Sequence, residues 1–398
     1  MEKRSKDEAV IRRIRMQKEM ARHGMEGCLV TQNVGLYYFT GSMQTGYLFI
    51  PKTGEPTYYV RRSLARALEE SDVRTVELGA FRQFGAKLAE DYPEVFGRKP
   101  ALIGADLDVM PAQLYLRLTE AVPQASWMDA SAALRVVRSV KSAYEIDKIS
   151  QAAEVADAAL REGLSSLREG MTELELMAVI ENSMRRAGHI GLMRMRGYNQ
   201  EIMTGVVAAG EAAAEPSYFD GPAGGRGLSP AAPLSSSKRP IMRDEPILID
   251  IGCCIDGYTI DQTRTAVIGE LSEELLHAYE TSEAIVRRTE ALLKPGARPD
   301  QLYFEALNMA AEAGLSSHFM GFGGDQVRFL GHGIGLEIDE WPALAKGFSE
   351  PLEPGTVVAV EPKFTFPGIG VVGLENTYVV TETGCRALTK SPETLFCL

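Results

Sequence analysis

PILIDIGCCIDGYTIDQTRTAVIG, residues 246–269, reads as two apolar strands folded about Asp256-Gly257, with Asp250 inside the first and Asp261 inside its return. Asp-Gly is a hairpin dipeptide because both central residues of the tightest hairpin turns need positive φ. The turn therefore predicts that the two carboxylates come together. A carboxylate buried alone in a run such as ILIDIG either protonates or finds a cation. A metal ion is the simplest such cation. The competing partner is an arginine such as Arg264, which serves one aspartate but not two together with the glutamates that follow.

Reading outward, FLGHGIGLEIDEWP (329–342) sets His332 between glycines, where the backbone allows close approach of a ligand. VVAVEPKF (357–364) puts Glu361 at the end of a β-branched strand, and VVGLENTYVV (371–380) puts Glu375 inside another. Four carboxylates and one imidazole drawn from strands carry a charge near −4, which two divalent cations offset. Oxygen donors with one nitrogen favour Mn, Co, Zn or Fe and need no thiolate.

The rest of the chain bounds this reading. At 398 residues it exceeds the usual size of a single core, so two domains are expected. Hydrophobic residues at 45% and charged residues at 24% are those of an ordinary globular protein. The net charge of −12 disfavours nucleic acid and anionic membrane surfaces as partners. No apolar stretch approaches the roughly 20 residues of a spanning helix. The start, MEKRSKDEAVIRRIRMQKEMARHG, reads as a charged amphipathic helix rather than a secretion signal, so a cytoplasmic protein is expected. Cys28, Cys253, Cys254, Cys385 and Cys397 show no paired metal spacing and read as small buried hydrophobes.

In the first part, GCLVTQNVGLYYFTG (27–41) and YLFIPKTGEPTYYV (47–60) have the look of strands and turns, 63–70, 81–92 and 111–121 of helices, and ALIGAD (101–106) of a buried strand. This is an α/β domain without chemistry of its own. Ser142 and Glu145 then form a capping box opening a long helix whose stripe is Ile146, Ile149, Ala153, Ala156, Leu160, Leu164 and Leu167. Thr172 and Glu175 open a second helix, and Ser272 opens a third that stops at Pro295-Gly296. Gly170 to Gly188 and Gly296 to Gly314 share one spacing, which suggests a duplication. GPAGGRGLSPAAPLSSSK (221–238) reads as a surface loop, a lid or linker rather than a phosphate cradle.

The ordered set Asp250, Asp261, His332, Glu361, Glu375 resembles that of the pita-bread metallopeptidases, the family of Xaa-Pro dipeptidase, aminopeptidase P, methionine aminopeptidase and creatinase. The resemblance spans nearly the whole chain. It implies an α/β N-terminal domain of the creatinase type over residues 1–138 and an α+β pita-bread catalytic domain with an internal pseudo-twofold repeat over 139–398. It also implies a homodimer. By the same resemblance Asp250 binds one metal, His332 and Glu361 the other, and Asp261 and Glu375 bridge the two around a shared hydroxide. Glu361 is then the catalytic acid and base. The implied activity is hydrolysis of a peptide or small amide C–N bond, as in an Xaa-Pro dipeptidase or aminopeptidase. The alternatives are a metal-independent amidinohydrolase like creatinase and a non-catalytic binding protein on the same fold.

The sequence departs from that family at Ser217, Arg328 and Asp339, three places where histidines are usual, and at Gly373, where an arginine is usual. Ser217, Arg328 and Asp339 predict a remodelled substrate pocket, and Gly373 the loss of a residue that usually supports the metal ligands. Arg328 is expected to pair with Asp339 and compensate its charge; the other reading of Arg328 is a side chain facing solvent.

Overall fold

A computed structural model describes residues 6–97 and 100–398, and the chain divides into two compact units, Met1–Arg138 and Ser139–Leu398. The expected first helix runs over Lys6–Arg22; its first five predicted residues lie outside the described ones.

The first unit is built on a six-stranded mixed sheet in the order Arg74–Glu77, Thr57–Val60, Gly46–Pro51, Gly27–Val30, Ala101–Ala105, Ala125–Asp129. Leu29, Phe49, Tyr59 and Ile103 from the sheet pack with Phe84, Leu88 and Leu118 from helices in one buried cluster. One expectation fails here. Asn33–Thr40 is a helix, although its aromatic run LYYF suits a strand. Tertiary contacts override that propensity. Asp106, at the end of the strand Ala101–Ala105, accepts from the backbone N–H of Thr31 (2.9 Å) and Gln32 (2.7 Å), turning the chain into the helix.

The second unit carries the expected helices. Ala143–Ser166 opens with the Ser142/Glu145 capping box, and Glu173–Arg186 with the Thr172/Glu175 box. Each such cap contributes about 1 kcal/mol by satisfying amides that the first turn leaves free. Ile149, Ala153, Ala156 and Leu160 of the long helix are buried, and the helix packs on the strands Ile247–Ile255 and Tyr258–Val267. Farther along, Glu273–Leu292 packs on Pro299–Glu312 and on the strands Lys363–Phe366 and Gly370–Gly373. Glu173–Arg186 and Pro299–Glu312 both have 14 residues, and each lies between glycines of positive φ, Gly170 and Gly188 in one case, Gly296 and Gly314 in the other. The spacing read as a duplication thus marks two equivalent helices.

The strands form two four-stranded sheets and one hairpin. The first sheet runs Phe396–Cys397, Tyr258–Val267, Ile247–Ile255, Gly205–Ala209; the second runs Gly331–Gly333, Val357–Val360, Asn376–Val380, Cys385–Ala387. An isolated antiparallel bridge, Thr263 to Glu375, joins them. The hairpin turn is the one expected, with Asp256 at φ 50° and Gly257 at φ 91°. Segment 221–238 contains no helix or strand, as expected, but it is not wholly a surface loop. Ser235, Ser236 and Ser237 are buried, because Glu173 accepts from both the backbone N–H (2.8 Å) and hydroxyl (2.6 Å) of Ser237. Cys28, Cys253 and Cys254 are buried as expected, whereas Cys397 is exposed.

Candidate metal centre

Strand register brings the first two acids together. Asp250 pairs with Thr263 and Gly252 with Asp261. Residues two apart on a strand share a face, so Asp250 and Asp261 are diagonal neighbours on one side of the hairpin. His332 sits at the centre of Gly331–Gly333, opposite Ala359, and Glu361 follows the end of the partner strand Val357–Val360. A side chain at Gly331 would strike the Ala359 carbonyl and one at Gly333 that of Trp341. Both glycines are therefore dictated by close backbone approach.

His332 Nδ1 lies 3.0 Å from the Gly333 carbonyl. A carbonyl only accepts, so Nδ1 carries the proton and Nε2 turns a lone pair inward. That nitrogen faces Glu361 Oε1 at 3.4 Å and Asp261 Oδ2 at 4.0 Å. Three acceptors face one another there, an arrangement that calls for a cation among them. Glu375 completes the set. Its Oε2 accepts from Thr263 Oγ1 at 2.7 Å, while its Oε1 is buried without a hydrogen-bond partner among the described residues. One ligand atom each from Asp261, His332 and Glu375 lie within 4.8 Å of one another, a little wider than the roughly 4.4 Å that ligands on opposite sides of one ion bound at about 2.2 Å can span. The donor set fits a divalent metal.

Sequence reasoning missed one member of this centre. The Lys363 side chain is wholly buried, and its Nζ lies 2.7 Å from Glu361 Oε2, 3.0 Å from Glu375 Oε2 and 3.2 Å from Asp250 Oδ2. It, and not Arg264, is the protein's own cation for these acids. Arg264 spends its donors on the carbonyls of Thr263, Glu375, Ser391 and Pro392 and on Asn376 Oδ1.

The ionisation equilibria share one cause. Burial pushes the Asp250 carboxyl up, with Lys363 opposing, and burial together with Glu375 and Asp250 pushes Asp261 well up. For His332 burial works downward, but Glu361, Asp339 and Glu375 outweigh it and raise the imidazole. Lys363 shows the same contest, burial lowering it and Asp250, Glu361 and Glu375 raising it further. Each group responds to excess negative charge in a dry space, which a bound cation relieves.

Over the cage lies a cavity of about 80 Å³, walled by Met193, Phe219, Phe329 and Ile338 and floored by Asp250, Asp261, His332 and Glu361. The sequence pattern of metallopeptidase family M24 matches residues 147–382, and that of the creatinase/prolidase N-terminal domain matches residues 12–140. The chain belongs to metallopeptidase family M24. Its class is that of a divalent-metal-dependent peptidase. It is 28% identical over 378 residues to the Xaa-Pro dipeptidase of Pyrococcus horikoshii, covering 94% of this chain and 96% of that one. Among solved structures it resembles an Xaa-Pro dipeptidase from Bacillus anthracis (TM-score 0.83, 26% identity, 98% of this chain and 100% of the other). It also resembles an X-Pro aminopeptidase from Thermotoga maritima (TM-score 0.77, 25% identity, 97% and 99%). The pita-bread fold with a creatinase-type N-terminal domain follows from these matches.

The four departures from the family pattern lie in four different places. Asp339 lines the cavity and acts on His332. Ser217 lines a neighbouring cleft of about 490 Å³ instead, and the two spaces share the wall Phe219–Ala223. Arg328 lines neither space and forms no ion pair with Asp339, contrary to expectation; it is exposed and close enough to the Tyr303 phenol to act on it. The reason is local: Phe329 takes the inward position, so its chain neighbour Arg328 is turned to solvent. Gly373 stands opposite Lys363 in the strand pair Lys363–Phe366 and Gly370–Gly373.

Proposed function

We propose that this chain hydrolyses a peptide or small amide C–N bond in the manner of an Xaa-Pro dipeptidase or aminopeptidase. The observations that carry the reading are the gathering of ligand atoms of Asp261, His332 and Glu375 and the buried, donorless Oε1 of that same glutamate. A divalent ion held there supplies an activated water and a Lewis acid for the scissile carbonyl.

The chain's own residues do the rest. Glu361 is divided between two tasks: Oε2 is fixed by Lys363 and Oε1 faces the cavity floor beside His332. In this reading it takes a proton from the nucleophile and returns it to the leaving amine. Met193, Phe219, Phe329 and Ile338 offer an apolar wall suited to a small hydrophobic or proline ring and exclude water from the floor. Asp339 adds negative charge at the cavity, so of a peptide's two ends it attracts the ammonium and repels the carboxylate. This favours an aminopeptidase mode over cleavage of a dipeptide whose carboxylate lies against that residue.

The test is to strip the purified chain with a chelator, reload it with Mn, Co, Zn or Fe in turn, and assay Xaa-Pro dipeptides, longer peptides beginning Xaa-Pro, and small amides. Hydrolysis restored by one of these metals is expected, with kcat falling about 10²–10⁴-fold in Glu361→Ala. A chain that neither binds metal nor cleaves any member of the panel refutes the reading.

A further inference from the structure

The charge near −4 that called for two divalent ions leaves out Lys363. Its ammonium has three donors, and the three nearest carboxylate oxygens, on Glu361, Glu375 and Asp250, lie within 2.7–3.2 Å of it. The carboxylates are thereby sorted into two sides. Glu361 gives Oε2 to the lysine and Oε1 to the His332 side. Glu375 likewise gives Oε2 to the lysine and leaves a bare, buried Oε1. Asp250 lies on the lysine side; Asp261 lies with His332 and Glu375 on the other.

We infer that Lys363 is a built-in cation: its ammonium stands where one of the two ions of the carboxylate cage would bind, so the chain takes a single divalent metal, on Asp261, His332, Glu361 and Glu375. The inference rests on the metallopeptidase reading above and concerns how many ions that centre holds.

Two further features support it. The lysine is held in place, because none of its side chain is exposed and its stem passes over Gly373, its partner in the strand register. A Cβ at 373 would come within 2.7 Å of Lys363 Cγ and 2.8 Å of the Pro362 carbonyl. The glycine found where an arginine is usual is thus what gives the lysine its channel. Electrostatics then disfavours a second metal. A divalent ion on Asp250 would compete for oxygens the ammonium already holds, and it would lie beside a fixed positive charge in a space where charges interact strongly. A lysine and one divalent ion reduce the charge of the four carboxylates from about −4 to about −1, and the remaining imidazole is a neutral ligand.

The experiment counts metal. The wild-type chain and Lys363→Met, whose unbranched stem fills the same channel without charge, are stripped, reloaded with Mn²⁺, passed over a desalting column and measured by elemental mass spectrometry. One Mn²⁺ per chain is expected in the wild type and two in Lys363→Met. Two per chain in the wild type, or no rise in the variant, overturns the inference while leaving the peptidase reading intact; none in the wild type overturns both. A crystal of the wild-type chain soaked in Mn²⁺ gives a variant-free check. A single anomalous peak near His332, with Lys363 still on Asp250, is expected, and a second peak bonded to Asp250 overturns the inference.

Discussion

At the scale of single residues, Arg264 and Lys363 show two ways of burying a cation. Arg264 is fully buried, and burial pulls its guanidinium down, yet it is satisfied by four carbonyls and the Asn376 amide oxygen at 2.7–2.9 Å. Two of those bonds go to Glu375 O and Asn376 Oδ1, so the arginine fixes the start of the strand Asn376–Val380 beside the candidate ligand Glu375. Replacing it by methionine removes a donor from all five acceptors, of which Thr263 O keeps the Glu375 N–H and Asn376 Oδ1 keeps the Thr389 hydroxyl. Arg264→Met is expected to lose about 3–5 kcal/mol in urea unfolding, since breaking a satisfied buried charge exposes the full desolvation penalty of its partners. Arg264→Lys, with three donors instead of five and no planar fork, should recover only part of that loss. A loss below about 1 kcal/mol in the methionine variant would show that the network is not what holds this strand. The sequence exposed the acids and pointed to a metal as their cation, with Arg264 as the competing partner, but it passed over Lys363. Arg264 lies on the strand with Asp261 and attracts notice, whereas Lys363 in VVAVEPKF passes as a strand-edge lysine. The legible clue was spacing: Glu361 and Lys363 are two residues apart, the separation that puts side chains on one face of an extended chain.

At the scale of elements, features that rest on local chemistry were readable and features that rest on distant contacts were not. The Asp256-Gly257 turn and the two capping boxes are closed by their own residues, and they form as the sequence indicates. The helix Asn33–Thr40 depends on Asp106, 74 residues away from Gln32, and nothing local announces it. The burial of Ser235–Ser237 is of the same kind. It depends on Glu173, the first residue of a helix 64 positions earlier, which accepts from Ser237 and from the Ala209 amide at 2.8 Å. One carboxylate therefore ties a helix start, a strand end and the base of segment 221–238 together. Glu173→Ala is expected to destabilise the unit by about 1.5–3 kcal/mol, the range for hydrogen bonds to a charged acceptor, and to speed proteolytic nicking within 221–238. Urea melts and timed limited proteolysis read the two effects. Destabilisation without faster nicking would mean that the segment is held by other contacts.

At the scale of the whole molecule, every candidate ligand lies between 250 and 375, within the unit Ser139–Leu398, and the chain has two tryptophans, Trp127 in the first unit and Trp341 in the second. Metal bound only to the folded second unit stabilises that unit by mass action, about 2.7 kcal/mol at 100 times the dissociation constant. For a unit of this size that corresponds to a rise in Tm of roughly 5–10 °C. Each single-tryptophan variant isolates one reporter: Trp127→Phe leaves Trp341, and Trp341→Phe leaves Trp127. Adding Mn²⁺ to the stripped chain should move the thermal transition seen through Trp341 upward and leave that seen through Trp127 nearly still, and a chelator should reverse it. Equal shifts at both reporters would mean that the units unfold as one. No shift at either would mean that the cage does not take up the ion, which the buried and donorless oxygen of Glu375 argues against.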